Sequence, residues 1–409
     1  MRVNYKIQDR FDFGLFIPMV FLLIISLFAV YSSTINHPIA GDNFYKHLIW
    51  IIFSLIIYFI IFILPRQAIR SSALWIYSIS FFFLLLVLVI GDVVFGARSW
   101  IRYGEIGFQP AEIAKIGLIL LLAYWMSKQK ENISETLTIL ISLAIGFVPV
   151  LLILAQPDMG TAIVFVIITI AMLFWNGLDL FALFLILSPG VVAIASLFGW
   201  VALLVTLVLV AVGLIYFKKN IFLSVTIFIF NAIAGLAFEY FIRFLKPHQQ
   251  IRIASFIDPY VDPTGAGYNI IQAKVAIGSG GIFGKGFMEG NQTQLRFIPQ
   301  QWTDFIFSVV GEEFGFIGCM LILILFFIIL WRLLKLASNA KDSFNSLVVL
   351  GVFIFIFCHF AINIGMNLGI TPVIGLPLPF LSYGGSSLLS VIVLMGIVQN
   401  IYKNRLEQV

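Results

Sequence analysis

The sequence predicts an all-α protein that crosses a membrane many times. Hydrophobic residues make up 61% of its 409 residues and charged residues only 11%, whereas soluble domains carry roughly a quarter charged residues. The mean hydropathy is +1.09. Apolar runs of membrane-spanning length follow one another along most of the chain. These observations exclude an ordinary soluble protein and favour a single integral membrane domain over residues 1–409.

About twelve apolar runs are long enough to cross a bilayer. No cleavable signal peptide is expected, because the first run has full span length and lacks a small-residue cleavage site. We expect the spans at roughly 13–33, 47–64, 73–91, 109–127, 136–155, 160–177, 180–198, 199–217, 221–241, 305–334, 345–367 and 378–402.

The basic residues orient these spans. The net charge is +5, but the positive charges gather in short loops, which indicates membrane orientation rather than nucleic-acid binding. Both termini are predicted to be cytoplasmic, and residues 242–304 form a large extracytoplasmic loop. A reaction on that side has no ATP and must use an activated, lipid-linked substrate. The orienting residues are Arg2, Lys6, Arg10, Arg66, Arg70, Lys128, Lys130, Lys218, Lys219, Arg332 to Lys341, Lys403 and Arg405.

The two cysteines offer no chemistry of their own. Cys319 and Cys358 both lie inside apolar runs. This placement disfavours a disulfide framework and a metal site.

The stretch from Asp262 to Glu313 is the only long segment that is not apolar. Six glycines fall within residues 278–290, interleaved with Lys285 and Glu289. Their spacing does not match a nucleotide-binding P-loop. Just upstream, residues 268–277 have the periodicity of a short amphipathic helix that carries Lys274.

Asp304 stands at the end of this stretch, directly before the apolar run 305–334. Thr303 is predicted to cap that helix and to put Asp304 in its first turn. The helix dipole would then keep the carboxylate ionised and able to accept a proton. A purely structural role at a helix start fits the local pattern as well. Glu312 is expected on the Asp304 side of the helix, facing a cavity, and Glu313 on the opposite side as a partner for another helix.

Three more charged residues, Glu112, Lys115 and Asp158, lie within or between apolar runs. Pro110 is expected near the start of a helix, on which Glu112 and Lys115 share one face. Charges in a span are costly unless they are paired or face a wet cavity, so either function or a structural ion pair explains them. Asp158 lies between two spans, where it could pair with Lys115, bind substrate or a cation, or cap a helix.

The last polar block, residues 371–387, contains three prolines and three glycines and cannot form a spanning helix. Such irregular backbone is tolerated where it lines a cavity or is buried in protein. Ser382, Tyr383 and Ser386 could present hydroxyls to a sugar or pyrophosphate, or bond the broken backbone. His359 and Asn363 form an i,i+4 polar pair, for which internal hydrogen bonding is favoured over catalysis.

Several blocks closely resemble the SEDS (shape, elongation, division and sporulation) family of membrane glycosyltransferases. The blocks are GAGYNIIQAKVAIGSGGIFGKG, TDFIF followed by GEEFG, FQPAEIAK, QPDMGT and GLPLPFLSYGGS. The segment NIIQAKVAIGSGG resembles the corresponding segment of the RodA branch, which serves cell elongation and shape. That resemblance implies about ten core spans, so that one helical hairpin is additional. Residues 180–219 are the candidate, although the pair cannot be fixed from sequence.

The resemblance implies an inverting glycosyltransferase that polymerises lipid II into peptidoglycan outside the cytoplasmic membrane. Asp304 matches the catalytic aspartate of the family, and Asp262 is the alternative base. The family's common Pro-Glu-x-His-Thr-Asp appears here with glutamine and Trp302 in place of Glu and His, which casts doubt on a proton relay there. Predicted substrate-binding residues are Arg98, Glu112, Lys115, Asp158, Lys274, Lys285, Glu312, Ser382, Tyr383 and Ser386.

Cations matter more than a general acid in this reaction, because pyrophosphate is a good leaving group. The candidates for this charge stabilisation are Arg98, Arg102, Lys115, Lys274, Lys285 and Arg296. No cofactor is required by the sequence. A bound Mg²⁺ or Mn²⁺ is compatible with the chemistry, but no dedicated cage of ligands is evident.

The implied partners are lipid II, the glycan on undecaprenyl pyrophosphate, a class B penicillin-binding protein, other cell-elongation membrane proteins and membrane lipid, with no nucleic acid. Two alternatives come from other classes: a transporter or lipid flippase, and a noncatalytic cell-wall scaffold. Transporters place binding charges near the bilayer midplane in repeat-related halves. Here no repeat is evident and the strongest polar cluster lies in an outer loop, which favours the enzyme.

Overall fold

The computed structural model describes residues 10–94, 96–103, 106–128, 135–217, 220–244, 247–265 and 267–405. Arg2, Lys6, Lys130, Lys218 and Lys219 of the orientation argument lie outside these ranges. The predicted orientation of the termini therefore stays a prediction.

The described chain is built from helices, with one small sheet. The helices are α1 Phe13–Thr34, α2 Asn43–Ile63, α3 Arg66–Ile90, α4 Pro110–Lys128, α5 Glu135–Ala155, α6 Met159–Trp175, α7 Leu180–Ser196, α8 Trp200–Tyr216, α9 Ile221–Phe244, α10 Pro247–Ile257, α11 Tyr268–Ser279, α12 Asn291–Gln294, α13 Ile306–Asn339, α14 Ser343–Leu368 and α15 Gly385–Asn404.

Apolar helices occupy all of the predicted membrane-helix positions, but not all of them reach spanning length. In the described ranges, nine helices are long and apolar enough to cross a membrane, and the shorter apolar helices α6, α7 and α8 fill the remaining predicted positions. Helix α4 begins at Pro110, as expected. The last helix was predicted from residue 378 but begins at Gly385, because Pro377 and Pro379 cannot continue a helix.

Helix α4 lies at the centre of the fold. Most of its side chains are buried, as expected for a helix surrounded by others. It packs against α3, α14, α5 and α6. Gly117 lets α3 approach closely, because a Cβ there would lie 2.8 Å from the Cα of Tyr77. Small residues at such positions bring helix backbones together within membranes.

A three-stranded antiparallel sheet precedes α4 and was not predicted. Its strands are β1 Asp92–Val94, β2 Ala97–Tyr103 and β3 Ile106–Phe108, in the order β1-β2-β3. The sequence holds several β-branched and aromatic residues, which favour strands. The sequence does not predict the sheet, because its strands are too short for a clear alternating pattern.

Helix α13 is broken at Gly315, which has φ +63° and ψ −156°. The glycine-rich loop fills the break. The amides of Phe316 and Ile317 donate to the carbonyls of Gly281 and Ile282 (2.9 and 3.2 Å). Backbone groups that the break would leave unpaired are thus satisfied.

The chain forms two compact units, residues 1–175 with 269–409 and residues 176–268, within their described parts. The second unit contains α7 to α10. Its core is a cluster of apolar side chains made by Val192, Leu203, Val210, Leu214 and Ile227. The prediction of one membrane domain with an external 242–304 loop stays a prediction.

Candidate active site

Asp304 lies in a turn directly before α13. The prediction that Thr303 caps this helix was wrong, because the helix begins at Ile306 and its N-cap position is Phe305. Instead, the amides of Thr303 and Asp304 both donate to the carbonyl of Gln300 (3.2 Å each). The turn keeps Asp304 close to the start of the helix without making it part of the first turn.

The broken segment after α14 holds this turn. The amide of Tyr383 donates to the carbonyl of Trp302 (2.9 Å). The hydroxyl of Ser382 donates to the carbonyl of Thr303 (2.5 Å) and accepts from the amide of Leu378 (2.8 Å). Ser382 thus bonds irregular backbone, which was one of its two predicted roles.

Two asparagines of α14 hold the next carbonyl, that of Asp304. Asn363 and Asn367 each donate to it (2.9 and 3.1 Å). Asn363 also donates to the carbonyl of Leu376 (2.8 Å), and Asn367 accepts from the amide of Ser308 (3.1 Å). Three successive carbonyls, at residues 302 to 304, are therefore fixed by different donors, which restricts the position of the aspartate.

Asp304 is half-buried. It lies beside Gly375 of the broken segment, where an added Cβ would stand 3.5 Å from its Oδ2. Among the described residues it forms no ion pair. Burial raises the pKa of Asp304 to about 6, and a hydrogen bond from the Thr303 side chain partly opposes that rise. A carboxylate of this kind is ionised at neutral pH and is a better proton acceptor than an ordinary aspartate.

The pair of Glu112 and Lys115 is buried beside α14. Their side chains meet at 2.8 Å and are almost completely enclosed. Ser390 donates to the other oxygen of Glu112 (2.7 Å). Lys115 also lies 3.2 Å from Nε2 of His359, whose Nδ1 is 3.1 Å from the carbonyl of Pro377. His359 is thus bonded internally, as favoured, but its partners are Lys115 and the broken segment rather than Asn363.

Asp158 is not part of that charged cluster. It accepts from the amide and hydroxyl of Thr161 (3.0 and 2.9 Å) and from the side chain of Gln109 (3.2 Å). Of the roles that the sequence left open for Asp158, pairing with Lys115 is not observed, because Asp158 stays at the start of α6 and caps it. Helix capping was the alternative open at the sequence level.

Glu312 anchors the glycine-rich loop. It pairs with Lys285 (2.8 Å) and accepts from the amides of Gln292 and Thr293 (2.9 Å each) and from the Thr293 hydroxyl (2.8 Å). The expectation that Glu312 faces a cavity was wrong. Its side chain is fully enclosed, because the loop folds back against the helix on that side.

Glu313 reaches another helix, as predicted. The hydroxyl of Ser32 on α1 donates to it. The side chain of Gln294 donates to Ser32 (3.0 Å) and lies 3.5 Å from Glu313. Adjacent glutamates therefore hold different parts of the structure, Glu312 the loop and Glu313 helix α1.

The remaining predicted residues are dispersed. Arg98 donates to the carbonyl of Leu88 (3.2 Å) at the end of α3. Lys274 extends over Gly369, where an added Cβ would lie 2.6 Å from its ammonium nitrogen. Ser386 is buried near the start of α15.

Asp262 belongs to the second compact unit. Its carbonyl accepts from the amides of Gly265 and Gly267 (3.3 and 3.0 Å). This is the turn that its Asp-Pro sequence context indicated. The substrate-binding roles of the predicted residues, and the alternative role of Asp262 as base, stay predictions.

Next to the Asp304 turn lies a cavity of about 610 Å³. Its walls come from the α1–α2 loop, from β2 and from residues 296–302. The ring of His37 packs against that of Trp302 with centroids 4.9 Å apart. The polar residues that line it are His37, Asn43, Arg102, Arg296, Gln300 and Gln301.

Sequence reasoning missed Asn367 and His37. Asn367 lies one helical turn after Asn363, and this second i,i+4 polar pair in an apolar helix was a usable signal. His37 carried no such signal, because it lies in a short loop far from Trp302 in sequence.

The described residues contain no group of three or more His, Cys, Asp or Glu side chains that could hold a metal ion. The compatibility of the site with Mg²⁺ or Mn²⁺ therefore stays a sequence-based expectation.

Similarity to known proteins extends over nearly the whole chain. The peptidoglycan glycosyltransferase RodA of Treponema pallidum is 32% identical, over 97% of this chain and 98% of its own length. The peptidoglycan glycosyltransferase MrdB of Escherichia coli K12 is 33% identical, over 94% and 93%.

Among solved structures, one chain superposes with a TM-score of 0.72 at 28% identity, covering 97% of this chain and 98% of that one. That chain comes from a structure of a peptidoglycan synthase complex, described as showing how polymerization and crosslinking are coordinated. Residues 11–407 match the FtsW, RodA and SpoVE family of cell cycle proteins. The resemblance to the SEDS family is thereby confirmed, and the chain belongs to the FtsW, RodA and SpoVE family of integral membrane proteins.

Proposed function

We propose that this chain is a peptidoglycan glycosyltransferase that polymerises lipid II on the outer face of the cytoplasmic membrane, with Asp304 as its general base. The family and its relatives support the activity. The observation that carries the assignment of the base is that Asp304 is half-buried, has its backbone carbonyl held by two asparagines, and keeps its carboxylate outside any ion pair of the described residues.

The reaction joins two lipid-linked sugars. Asp304 takes the proton of the 4-hydroxyl of lipid II while that oxygen attacks the anomeric carbon of the growing glycan. The new carbon–oxygen bond forms as the bond to the lipid pyrophosphate breaks, so that the configuration inverts from α to β. The pyrophosphate leaves with the electron pair. General-base assistance of this type is typically worth about 10²–10⁴-fold in rate.

The fixed turn supports this role. A general base must lie within hydrogen-bond reach of the proton that it removes, and small displacements of a catalytic group are costly. Asn363, Asn367 and Ser382 restrain the Asp304 turn without occupying its carboxylate. They act as positioning residues.

The reaction takes place outside the cytoplasmic membrane, beside a partner that cross-links the product. Both termini are cytoplasmic and the 242–304 loop is external. A class B penicillin-binding protein, a transpeptidase, cross-links the strands, and the pair serves elongation and cell shape. The resemblance to a chain described in a complex that coordinates polymerization and crosslinking supports such a partner.

The test compares Asp304→Asn with the unchanged protein, each purified in detergent and supplied with labelled lipid II. Asparagine keeps the size of the side chain but removes its basicity. Glycan formation should fall by roughly 10²-fold or more, while lipid II binding changes little. Asp304→Glu should keep partial activity only where the site accepts one more methylene.

Asp262→Asn is the matched control, because a turn aspartate should affect expression more than chemistry. An active Asp304→Asn protein beside an inactive, well-folded Asp262→Asn protein would move the base to Asp262. A purified protein that moves lipid II between leaflets and makes no glycan would instead support the flippase alternative.

A further inference from the structure

We infer that the cavity of about 610 Å³ between the α1–α2 loop, β2 and residues 296–302 binds the diphosphate of a lipid-linked sugar, held by Arg102, Arg296 and His37. The inference rests on the proposed function and names a subsite of that same reaction. The volume lies within the range of roughly 300–1,000 Å³ that is typical of ligand sites.

The charge of the cavity suits an anion. Arg102 and Arg296 both line it and are exposed. Among the residues that the structure describes, neither arginine is in an ion pair, and the lining set includes no acidic side chain. Guanidinium groups bind phosphate oxygens through paired N–H donors, which makes arginine well suited to a diphosphate.

Arg296 is already oriented by the fold, since its guanidinium donates to the carbonyl of Asn36. This bond ties the side chain to the α1–α2 loop, which forms the opposite wall of the cavity. A donor that is held in place loses less conformational entropy when it binds a ligand.

His37 adds a neutral donor. Its Nδ1 accepts from the amides of Ile39 and Ala40 (3.3 and 3.1 Å), so the proton of the neutral ring lies on Nε2. Burial and the nearby charge of Arg296 lower the pKa of His37, which keeps the ring neutral at neutral pH. The Nε2–H group can then donate to a phosphate oxygen without adding a third charge.

The other candidate cations contact different parts of the structure. Lys115 is enclosed with Glu112, and Lys285 pairs with Glu312. Arg98 bonds the end of α3. Lys274 extends over Gly369 and does not line this cavity. Of the six cations that the sequence offered for pyrophosphate, Arg102 and Arg296 line this cavity.

A single turn of the chain contains both residues that line the cavity and Asp304. Gln300 and Trp302 line it, and the carbonyl of Gln300 accepts the amide of Asp304 (3.2 Å). Where the family pattern has a histidine, this chain has Trp302, and the imidazole that reaches this cavity is His37. A diphosphate bound here lies against the same turn that carries the carboxylate.

The test measures binding of three lipids to the full-length protein in detergent: undecaprenyl diphosphate, undecaprenyl phosphate and undecaprenol. Arg102→Gln and Arg296→Gln should each weaken binding of the diphosphate by roughly tenfold or more, since each removes a charge-assisted hydrogen bond. The monophosphate should lose less, and the neutral alcohol should bind as before. Arg102→Lys keeps the charge but not the paired donors. Its affinity for the diphosphate should therefore lie between that of the unchanged protein and that of Arg102→Gln.

Lys335→Gln is the matched control, because Lys335 is an exposed cation near the far end of α13 and does not line the cavity. Unchanged diphosphate binding by both Arg102→Gln and Arg296→Gln would overturn the inference, and so would an equal loss for all three lipids. Asp304→Asn should bind the diphosphate normally. An active Asp304→Asn protein would therefore defeat the proposed base, while the lipid series would still decide the subsite.

Discussion

At the scale of single residues, the carboxylate of Asp304 sets a pH dependence. Burial raises its pKa to about 6, and a general base works only when it is deprotonated. We therefore expect the rate of glycan formation to rise as the pH increases through about 6 and to level off above about 7. Initial rates with labelled lipid II across this range measure the profile.

Thr303→Val provides the control for that profile. The hydrogen bond from Thr303 lowers the pKa of Asp304, so its loss should move the midpoint of the profile to higher pH. The carbonyl of Thr303, which accepts from Ser382, is retained. A flat profile between about pH 5 and about pH 8 would contradict Asp304 as the titrating base.

The second residue-scale prediction concerns the enclosed pair of Lys115 and Glu112. Lys115→Met removes the cation and leaves the carboxylate buried beside Ser390. Breaking such a pair typically costs about 3–5 kcal/mol, so the protein in detergent should unfold at a clearly lower temperature.

The control for Lys115→Met adds Glu112→Gln in the same chain. The double variant removes both charges and should recover most of the lost stability, because no uncompensated charge remains. Equal melting temperatures for the single and double variants would show that the pair is not a stabilising unit.

At the scale of elements, the break in α13 depends on Gly315. Its φ of +63° with ψ of −156° lies in a region that is essentially restricted to glycine. A Cβ there would also stand 2.3 Å from the amide nitrogen of Gly284. Gly315→Ala should therefore cost about 1–3 kcal/mol or more, separate the loop from the helix and reduce activity. Thermal unfolding and protease sensitivity of the loop measure the effect.

Gly278→Ala is the matched control. Gly278 lies in α11, and nothing approaches within 4 Å of a Cβ added there. Alanine at a helical position usually stabilises relative to glycine, so this variant should be as stable as the unchanged protein or slightly more so. Equal behaviour of the two alanine variants would refute the requirement for glycine at the break.

At the scale of the whole molecule, the distribution of positive charge predicts which loops face outward. A cysteine at Leu295, which is 65% exposed, should react with a membrane-impermeant thiol reagent in intact spheroplasts. A cysteine at Ser338, exposed at the other end of α13, should react only after permeabilisation. The native Cys319 and Cys358 are buried and should give little background. Labelling in the reverse pattern would invert the topology.

Most of the architecture was readable from sequence, because it depends on local pattern. Each of the twelve predicted membrane helices follows from a run of apolar residues of spanning length, and the described chain has an apolar helix at each of these positions. The break after α14 follows from proline and glycine content, which excludes a helix regardless of neighbours. The start of α4 at Pro110 and the outward reach of Glu313 toward another helix follow from position within a helical turn.

Tertiary structure decided which side chains and backbone groups bond to one another. The donors to the carbonyls of Thr303 and Asp304 lie 79 residues away, at Ser382, and 59 residues away, at Asn363. His37 meets Trp302 across an even longer stretch of chain. Such contacts depend on how helices pack against one another, which periodicity within one segment does not encode.

Asp158 is the reverse case. Its charge suggested a distant lysine as partner, but the carboxylate accepts hydrogen bonds from the hydroxyl and the amide of Thr161, three residues away. Sequence determined which segments cross the membrane and which carboxylates lie near its surface. Packing decided which carboxylates are enclosed with a partner, as Glu112 and Glu312 are, and left Asp304 half-buried and outside any ion pair of the described residues.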